Sequence, residues 1–382
     1  MSRFIIILCL CLFTPQVFSQ AFLQTPVEGK QGQDWIIVNY VDWELTSFKD
    51  HNCGSKSYDG HQGTDFTIRS FKQMDSGVNV LAAASGRITF IKDGEFDRET
   101  EGDVAKKLGN YVAIRHANKY FTYYGHLKKN SITVSEGDSV EVGDIIGQVG
   151  SSGNSTDAHL HFELWYDSTS VVDPFKGACG NPTSLWVTPE DYDTSVGTLE
   201  SGIILQNDLK INDLRERNTT LNRPFAIAPS SDSSLNFWSH LYGLRAGKEL
   251  SLTWYTPDNI EWFNYTFTLD QDYWYYYYWS FINHQDLTEG TWNVLLDYDG
   301  TEVASETFLV TKTANVSKLA RQNNCKAHSS QRLRELKNDQ SINLRVTNAL
   351  GKEVEINAIT KGVYFIQIVN QDNHCTLKRY VH

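Results

Sequence analysis

Ala158-His159-Leu160-His161-Phe162-Glu163-Leu164-Trp165 reads as a β-strand with two unlike faces. Residues two apart share a face of a strand. His159, His161 and Glu163 therefore face one way, while Leu160, Phe162 and Leu164 face the other and can fill a core. The chain on the N-terminal side continues in the same manner. Val80 to Ile91 reads as strand, turn and strand around Gly86, Asn110 to Arg115 alternates, and Lys119 to Tyr124 forms another strand. Val134 to Val149 holds two tight turns, with Gly137 and Gly143 where a positive φ is tolerated. Little of this has a helical period. It predicts a mainly β chain whose first domain, residues 25–190, is an antiparallel β-sheet domain.

Residues 195–312 predict a second, small β-sandwich-like domain. Its strand-like stretches are Leu209 to Leu214, Glu249 to Trp254, Trp262 to Leu269, Thr291 to Tyr298 and Val303 to Val310. Tyr273 to Trp279 is a run of aromatics, which suits either a stacking platform for a sugar or polymer or a strand packed on both sides. An exposed coplanar pair of Trp274 and Trp279 favours the platform, and buried rings favour packing. Residues 313–340 are polar and charged and read as a linker. Residues 341–382 return to strands at Ile342 to Thr347, Lys352 to Ile356, Gly362 to Val369 and Leu377 to Val381.

The 382 residues carry 34 basic and 46 acidic side chains, a formal net charge of −12. That balance disfavours nucleic acid and anionic membranes as partners, since both need a basic face. With 40% hydrophobic and 21% charged residues the chain is not of disordered composition. Ten Trp and 19 Tyr against two Met suit β-rich, extracellular architecture better than a helical bundle.

Met1-Ser2-Arg3 is a short basic start, followed by an apolar run from Phe4 to Phe13 and slim residues at Val17 and Ser19. This pattern predicts a secretory signal peptide, residues 1–19, and no later stretch predicts a transmembrane helix. Export leaves Cys53, Cys179, Cys325 and Cys375. Four cysteines allow three connectivities, and the local pairs Cys53–Cys179 and Cys325–Cys375 are expected. A zinc-thiolate site is the alternative, but no Cys-x-x-Cys spacing supports it.

Histidine usage points to chemistry. Gly60-His61-Gln62-Gly63-Thr64-Asp65 reads as a turn entering a strand, and a turn can aim both polar side chains at one ion. Tyr124-Gly125-His126-Leu127 ends a strand. His159, His161 and Glu163 form a metal or proton-transfer edge, although such a face alone also serves as a solvated strand surface. The remaining histidines, among them His51, His116 and His240, are assigned no function. Catalytic zinc keeps three protein ligands and one open, water-bearing position, lowers the pKa of that water and polarises a carbonyl. Further imidazoles nearby can move a proton and steady an oxyanion. His61, Asp65, His126, His159 and His161 supply that count if they converge in space.

Together these residues resemble the M23 (lysostaphin/LytM-type) zinc endopeptidases over about residues 50–175. The resemblance rests on Gly60-His61-x-x-x-Asp65, on Tyr124-Gly125-His126-Leu127, and on Gly150 through Ser155-Thr156-Asp157-Ala158 to His159-Leu160-His161-Phe162-Glu163. The hairpin from Val134 to Gly147 also fits. It implies that His61, Asp65 and His161 bind Zn2+ and that His126 and His159 are the catalytic pair. Asp157-Ala158 stands where the family often has Gly-Pro. Family members mostly cut stem or cross-bridge peptides of peptidoglycan, some cut Gly-rich proteins such as elastin, and inactive members have lost metal ligands. Residues 343–381 resemble the sorting domain of the type IX secretion route of Bacteroidota, through Asn343 to Val354, Lys361 to Ile368 and Lys378 to Val381.

The expectation is therefore a secreted zinc metalloendopeptidase acting on peptidoglycan peptides, delivered through the type IX machinery. Its alternatives are an elastase-like enzyme with a protein substrate and a non-catalytic wall-binding or regulatory module. Oligomeric state is not legible.

Overall fold

The structure, a computed structural model, describes residues 21–44, 46–217, 225–227, 234–283 and 287–311, and the backbone of three strands between 342 and 381. Residues 1–19, the 313–340 segment, the strand at Lys352 to Ile356 and the Cys325–Cys375 pair lie outside the described residues. The fold is mainly β, 44% strand and 6% helix, in antiparallel sheets. It divides into two compact units, residues 1–225 with 231–308, and residues 226–230 with 309–382.

In chain order the N-terminal region runs β1 (Trp35–Asn39), β2 (Thr64–Ile68), α1 (Phe71–Ser76), β3 (Asn79–Leu81), β4 (Gly86–Lys92), β5 (Tyr111–Arg115), β6 (Tyr120–Gly125), β7 (Ser139–Val140), β8 (Ile145–Gln148), β9 (His159–Tyr166) and β10 (Ser170–Val172). The main sheet is ordered β1-β2-β9-β6-β5-β4-β7, with β10 also on β9 and β3-β8 as a separate pair. The alternation of β9 acts as the sequence predicts: Leu160, Phe162 and Leu164 are at most 1% exposed and join a core with Trp35, Phe66 and Tyr124. Burying one apolar face fixes the register, because a slip of one residue would turn every core side chain outward. The register sets Asp65 of β2 and Gly125 of β6 directly across from His161.

Cys53 and Cys179 are disulfide-bonded, with Cα atoms 5.2 Å apart. The bond anchors a loop organised by Asp50, whose carboxylate accepts from the backbone N–H of Asn52, Gly54 and Lys56 and from the Tyr192 hydroxyl. This loop leads into His61. Closing so long a loop removes unfolded-state entropy, so breaking the bond by Cys53→Ser is expected to lower unfolding free energy by roughly 2–5 kcal/mol. Denaturant midpoints of the variant and the parent check this, and equal midpoints would count against it.

The following region runs β11 (Gly197–Leu205), α2 (Ile211–Glu216), β12 (Phe225–Ile227), β13 (Leu235–Tyr242), β14 (Glu249–Tyr255), β15 (Glu261–Thr268), β16 (Tyr276–Ile282), β17 (Gly290–Tyr298) and β18 (Thr301–Val310). One sheet is β11-β13-β16, and β18, β17, β14 and β15 lie side by side in another. Ser201 Oγ donates to Glu306 Oε1 at 2.6 Å, and Tyr278 stacks on Phe267, so the two sheets form a sandwich-like pair. Trp238, Trp254 and Trp292 are fully buried.

Two details differ from the sequence reading. Leu209 to Leu214 is not a strand, because Ile211–Glu216 is the helix α2. Asp213 Oδ2 accepts from the Lys210 N–H at 2.9 Å, satisfying a free donor at the helix start. The segment buries Leu209 and Leu214 and leaves Ile211 39% exposed, a spacing of five that no strand face provides. The aromatic run is a strand only from Tyr276 onward. Trp274 is 9% exposed and faces Lys56 Nζ at 4.8 Å and the Arg245 guanidinium at 3.8 Å, whereas Trp279 is 36% exposed. The two do not form an exposed pair, and Trp274 is a packed ring under two cations.

The paired sheets and the main sheet meet within the first unit. Ile36, Val38 and Leu199 share an apolar cluster with Tyr242 and Tyr275. Arg98 bridges Asp75 of α1 and Glu216 of α2, and Ser55 Oγ donates to Asp272 at 2.6 Å.

In the second unit, β19 (Ile342–Asn348), β20 (Val363–Asn370) and β21 (Cys375–Val381) form an antiparallel sheet in that order.

Candidate metal and catalytic site

Three strands deliver the five predicted residues to one place. β2 carries Asp65 with His61 in the turn before it, β9 carries His159 and His161, and His126 follows the last residue of β6. His61 Nε2, Asp65 Oδ1 and His161 Nδ1 converge, at 3.2 Å for the two histidine nitrogens, 3.2 Å for His61 to Asp65 and 2.8 Å for His161 to Asp65. A tetrahedral ion with bonds of ~2.0–2.1 Å separates its ligands by about 3.3 Å. The triangle is thus close to the size that zinc requires, and its His₂-carboxylate donor set suits that ion. Gly63 permits the approach, since a Cβ there would lie 2.6 Å from the Phe162 carbonyl oxygen and 2.8 Å from the His161 ring.

Each donor is held by a partner behind it. His61 Nδ1–H donates to the Tyr40 carbonyl at 2.7 Å, which leaves Nε2 free as a ligand. Asn39 Nδ2 donates to Asp65 Oδ2 at 2.9 Å. His161 Nε2–H donates to Glu163 Oε1 at 3.0 Å, and Trp165 Nε1–H donates to Glu163 Oε2 at 2.7 Å. A carboxylate behind a ligating imidazole fixes its tautomer and raises its basicity. Burial pushes the Asp65 carboxyl up, but His61, His159 and His161 outweigh it and hold it well below the usual range. Burial pushes His161 down, but its bonds to the Asp65 and Glu163 carboxylates outweigh this and raise it to about 10. In the metal-free protein it therefore holds a proton that a cation must displace.

His126 and His159 sit beside this triangle. Their ring centroids are 4.7 Å apart, and His159 Nε2 lies 3.6 Å from Asp65 Oδ1. His126 Nδ1–H donates to the Ser152 carbonyl at 2.7 Å, and His159 Nδ1–H donates to the Asp157 carbonyl at 2.8 Å. Both Nε2 atoms are consequently lone-pair acceptors. Burial, aided by the two neighbouring histidines, holds His126 well below its ordinary value. Burial also lowers His159, opposed by the Asp65 charge. His126 has φ 60°, a left-handed conformation uncommon for a side chain of its size and the kind of strain that clusters at functional sites.

Residues 59–174 match the model of peptidase family M23. All five residues lie inside this matched segment. The chain is 36% identical over 120 residues to an uncharacterized metalloprotease of Buchnera aphidicola, covering 31% of this chain and 27% of that protein. It is 36% identical over 145 residues to the peptidoglycan DD-endopeptidase ShyA of Vibrio cholerae, covering 38% of this chain and 27% of that protein. Among solved structures, the catalytic domain of lysostaphin from Staphylococcus simulans is 26% identical, with 36% of this chain and 85% of that chain covered and a TM-score of 0.25. The chain spans about a quarter of the length of these curated relatives, 27% in each case.

A cleft of about 660 Å³ opens over the segment that carries these residues. Tyr58, Asp65 and His159 line one side, and Gln271, Tyr273 and Tyr275, from the stretch leading into β16, line the other.

Sequence reading did not find the partners behind the ligands. The sequence places Glu163 on the metal or proton-transfer edge of β9, and the structure puts it behind His161 as a hydrogen-bond partner. Asn39 carries no local signal, and the Tyr40, Ser152 and Asp157 carbonyls carry none in any sequence. Glu163→Gln is expected to weaken zinc binding by about 10–100-fold, the usual cost of an outer-shell change. Competitive chelator titration measures it, and an affinity equal to the parent's would remove Glu163 from the site.

Proposed function

We propose that this chain is an exported zinc endopeptidase that hydrolyses peptide bonds in peptidoglycan. The observation carrying the reading is the His61, Asp65 and His161 triangle with two neutral imidazoles beside it, inside the segment that matches peptidase family M23. A relative named as a peptidoglycan DD-endopeptidase supports the substrate class. Export rests on the apolar leader at residues 1–19, and passage through the type IX machinery rests on the pattern within residues 343–381.

The ligand triangle would hold Zn2+, which supplies a Lewis acid and a water of lowered pKa. The chain supplies proton transfer. His159 Nε2 stands beside the ligand triangle, 3.6 Å from Asp65 Oδ1, and is the acceptor placed to take a proton from the attacking water. Once protonated, that nitrogen becomes a donor and can return the proton to the leaving amine. His126, which burial holds well below its ordinary value, likewise offers Nε2 as a lone-pair acceptor and orients the same water by a hydrogen bond.

The test incubates the full chain with peptidoglycan sacculi and with elastin, with and without a chelator, and reads new amino termini by mass spectrometry. Chelator-sensitive cuts confined to wall peptides support the proposal. Cuts confined to elastin move the substrate to protein, and no cuts in either replace catalysis with a binding role.

A further inference from the structure

The buried ion pair of Arg215 and Asp157 has no part in the ligand triangle. Arg215, on α2, reaches across to the loop before β9. Its Nε donates to Asp157 Oδ1 at 2.9 Å and its Nη2 to Asp157 Oδ2 at 2.9 Å. The side chains are only 11% and 15% exposed. Tyr275 lines the same cleft as Asp157, and its ring meets the His240 imidazole edge-on at 4.3 Å. Asp157 is thus gripped in a fork by a residue of α2. A two-pronged, charge-assisted contact of this kind fixes direction as well as distance.

Asp157 also faces the site through its backbone. Its carbonyl accepts from His159 Nδ1–H at 2.8 Å and from Ser155 Oγ at 2.9 Å. That carbonyl decides which His159 nitrogen carries the proton and which way the ring points. Asp157 therefore carries the link: Arg215 holds its carboxylate, and its carbonyl holds His159.

We propose that Arg215 is a positioning residue for His159, so that α2 and the paired sheets belong to the catalytic unit. The proposal rests on the catalytic reading of His159 given above. The small displacements that loss of such support permits are costly in catalysis, since misplacement by an ångström lowers turnover by about 100-fold. A merely structural Arg215 predicts something different, a less stable protein whose folded fraction turns over normally.

The test uses the full chain carrying Arg215→Gln and, separately, Arg215→Lys. Four quantities are measured: kcat and KM on sacculi, zinc content, melting temperature, and the ring 15N shifts of His159 in metal-free and zinc-loaded protein. Arg215→Gln is expected to lower kcat by about 10–100-fold, with KM within about threefold and zinc content unchanged. The His159 signal is expected to leave the pure Nδ1–H form. Arg215→Lys keeps the charge but not the fork, and is expected to restore part of both. If Arg215→Gln does not fold, Asp157→Asn takes its place, since it keeps the carbonyl and loses the charge pair. Retention of the pure Nδ1–H form together with parental kcat overturns the proposal. The tautomer measurement needs no substrate, so it decides the role of Arg215 even if the parent protein cuts no sacculi.

Discussion

Asp65→Ala is expected to cost the protein both zinc retention and peptide hydrolysis. Asp65 Oδ1 is the corner of the ligand triangle nearest His161, at 2.8 Å, and it also stands 3.6 Å from His159 Nε2. Its removal leaves two histidine ligands without their anionic neighbour and leaves the half-buried Asn39 amide without its acceptor. The loss of zinc affinity is expected to exceed the ~10–100-fold that outer-shell changes cost. Hydrolysis is expected to fall by about 1,000-fold or more, the several kcal/mol that a Lewis acid contributes. Metal analysis after dialysis and cleavage of sacculi check the two effects. A variant that keeps stoichiometric zinc at parental affinity removes Asp65 from the ligand set. His61→Ala is expected to behave in the same way, because its Nε2 is the third corner.

His159→Ala separates binding from turnover. The ring sits beside the triangle and is not one of its corners, and its Nδ1 bond goes to a backbone carbonyl. Zinc content should stay at the parental level, while kcat falls by about 100–10,000-fold, the range that a positioned general base contributes. His126→Ala is expected to share this pattern. Kinetics and metal analysis on the same preparation are needed, because the prediction lies in their difference. Equal zinc loss in His159→Ala and Asp65→Ala would show that the division between ligands and catalysts is wrong.

Much of this was legible because strands write their geometry in alternation. Leu160, Phe162 and Leu164 against His159, His161 and Glu163 gave both the core face and the functional face of β9. Gly60 and Gly63 beside His61 marked a turn rather than a helix, and Gly63 is needed where the backbone meets the His161 ring. The helix at Ile211–Glu216 was hidden because six residues are too few to show a period, and its start is set by one aspartate. The supports of the site were hidden for another reason. Carbonyls of Tyr40, Ser152 and Asp157 are common to every residue type, and Arg215 lies 58 residues from the aspartate it grips. Such pairings follow from how sheets come together, and local sequence does not record them.

The Cys53–Cys179 bond spans 126 residues of sequence, and the four site histidines and Asp65 all fall between its two ends. A protease that nicks any one exposed turn in that interval cuts the chain without parting it. The two fragments remain one covalent molecule, and the sheet order keeps β2, β6 and β9 as neighbours. The working life of the site under proteolysis is then set by the second cut rather than the first.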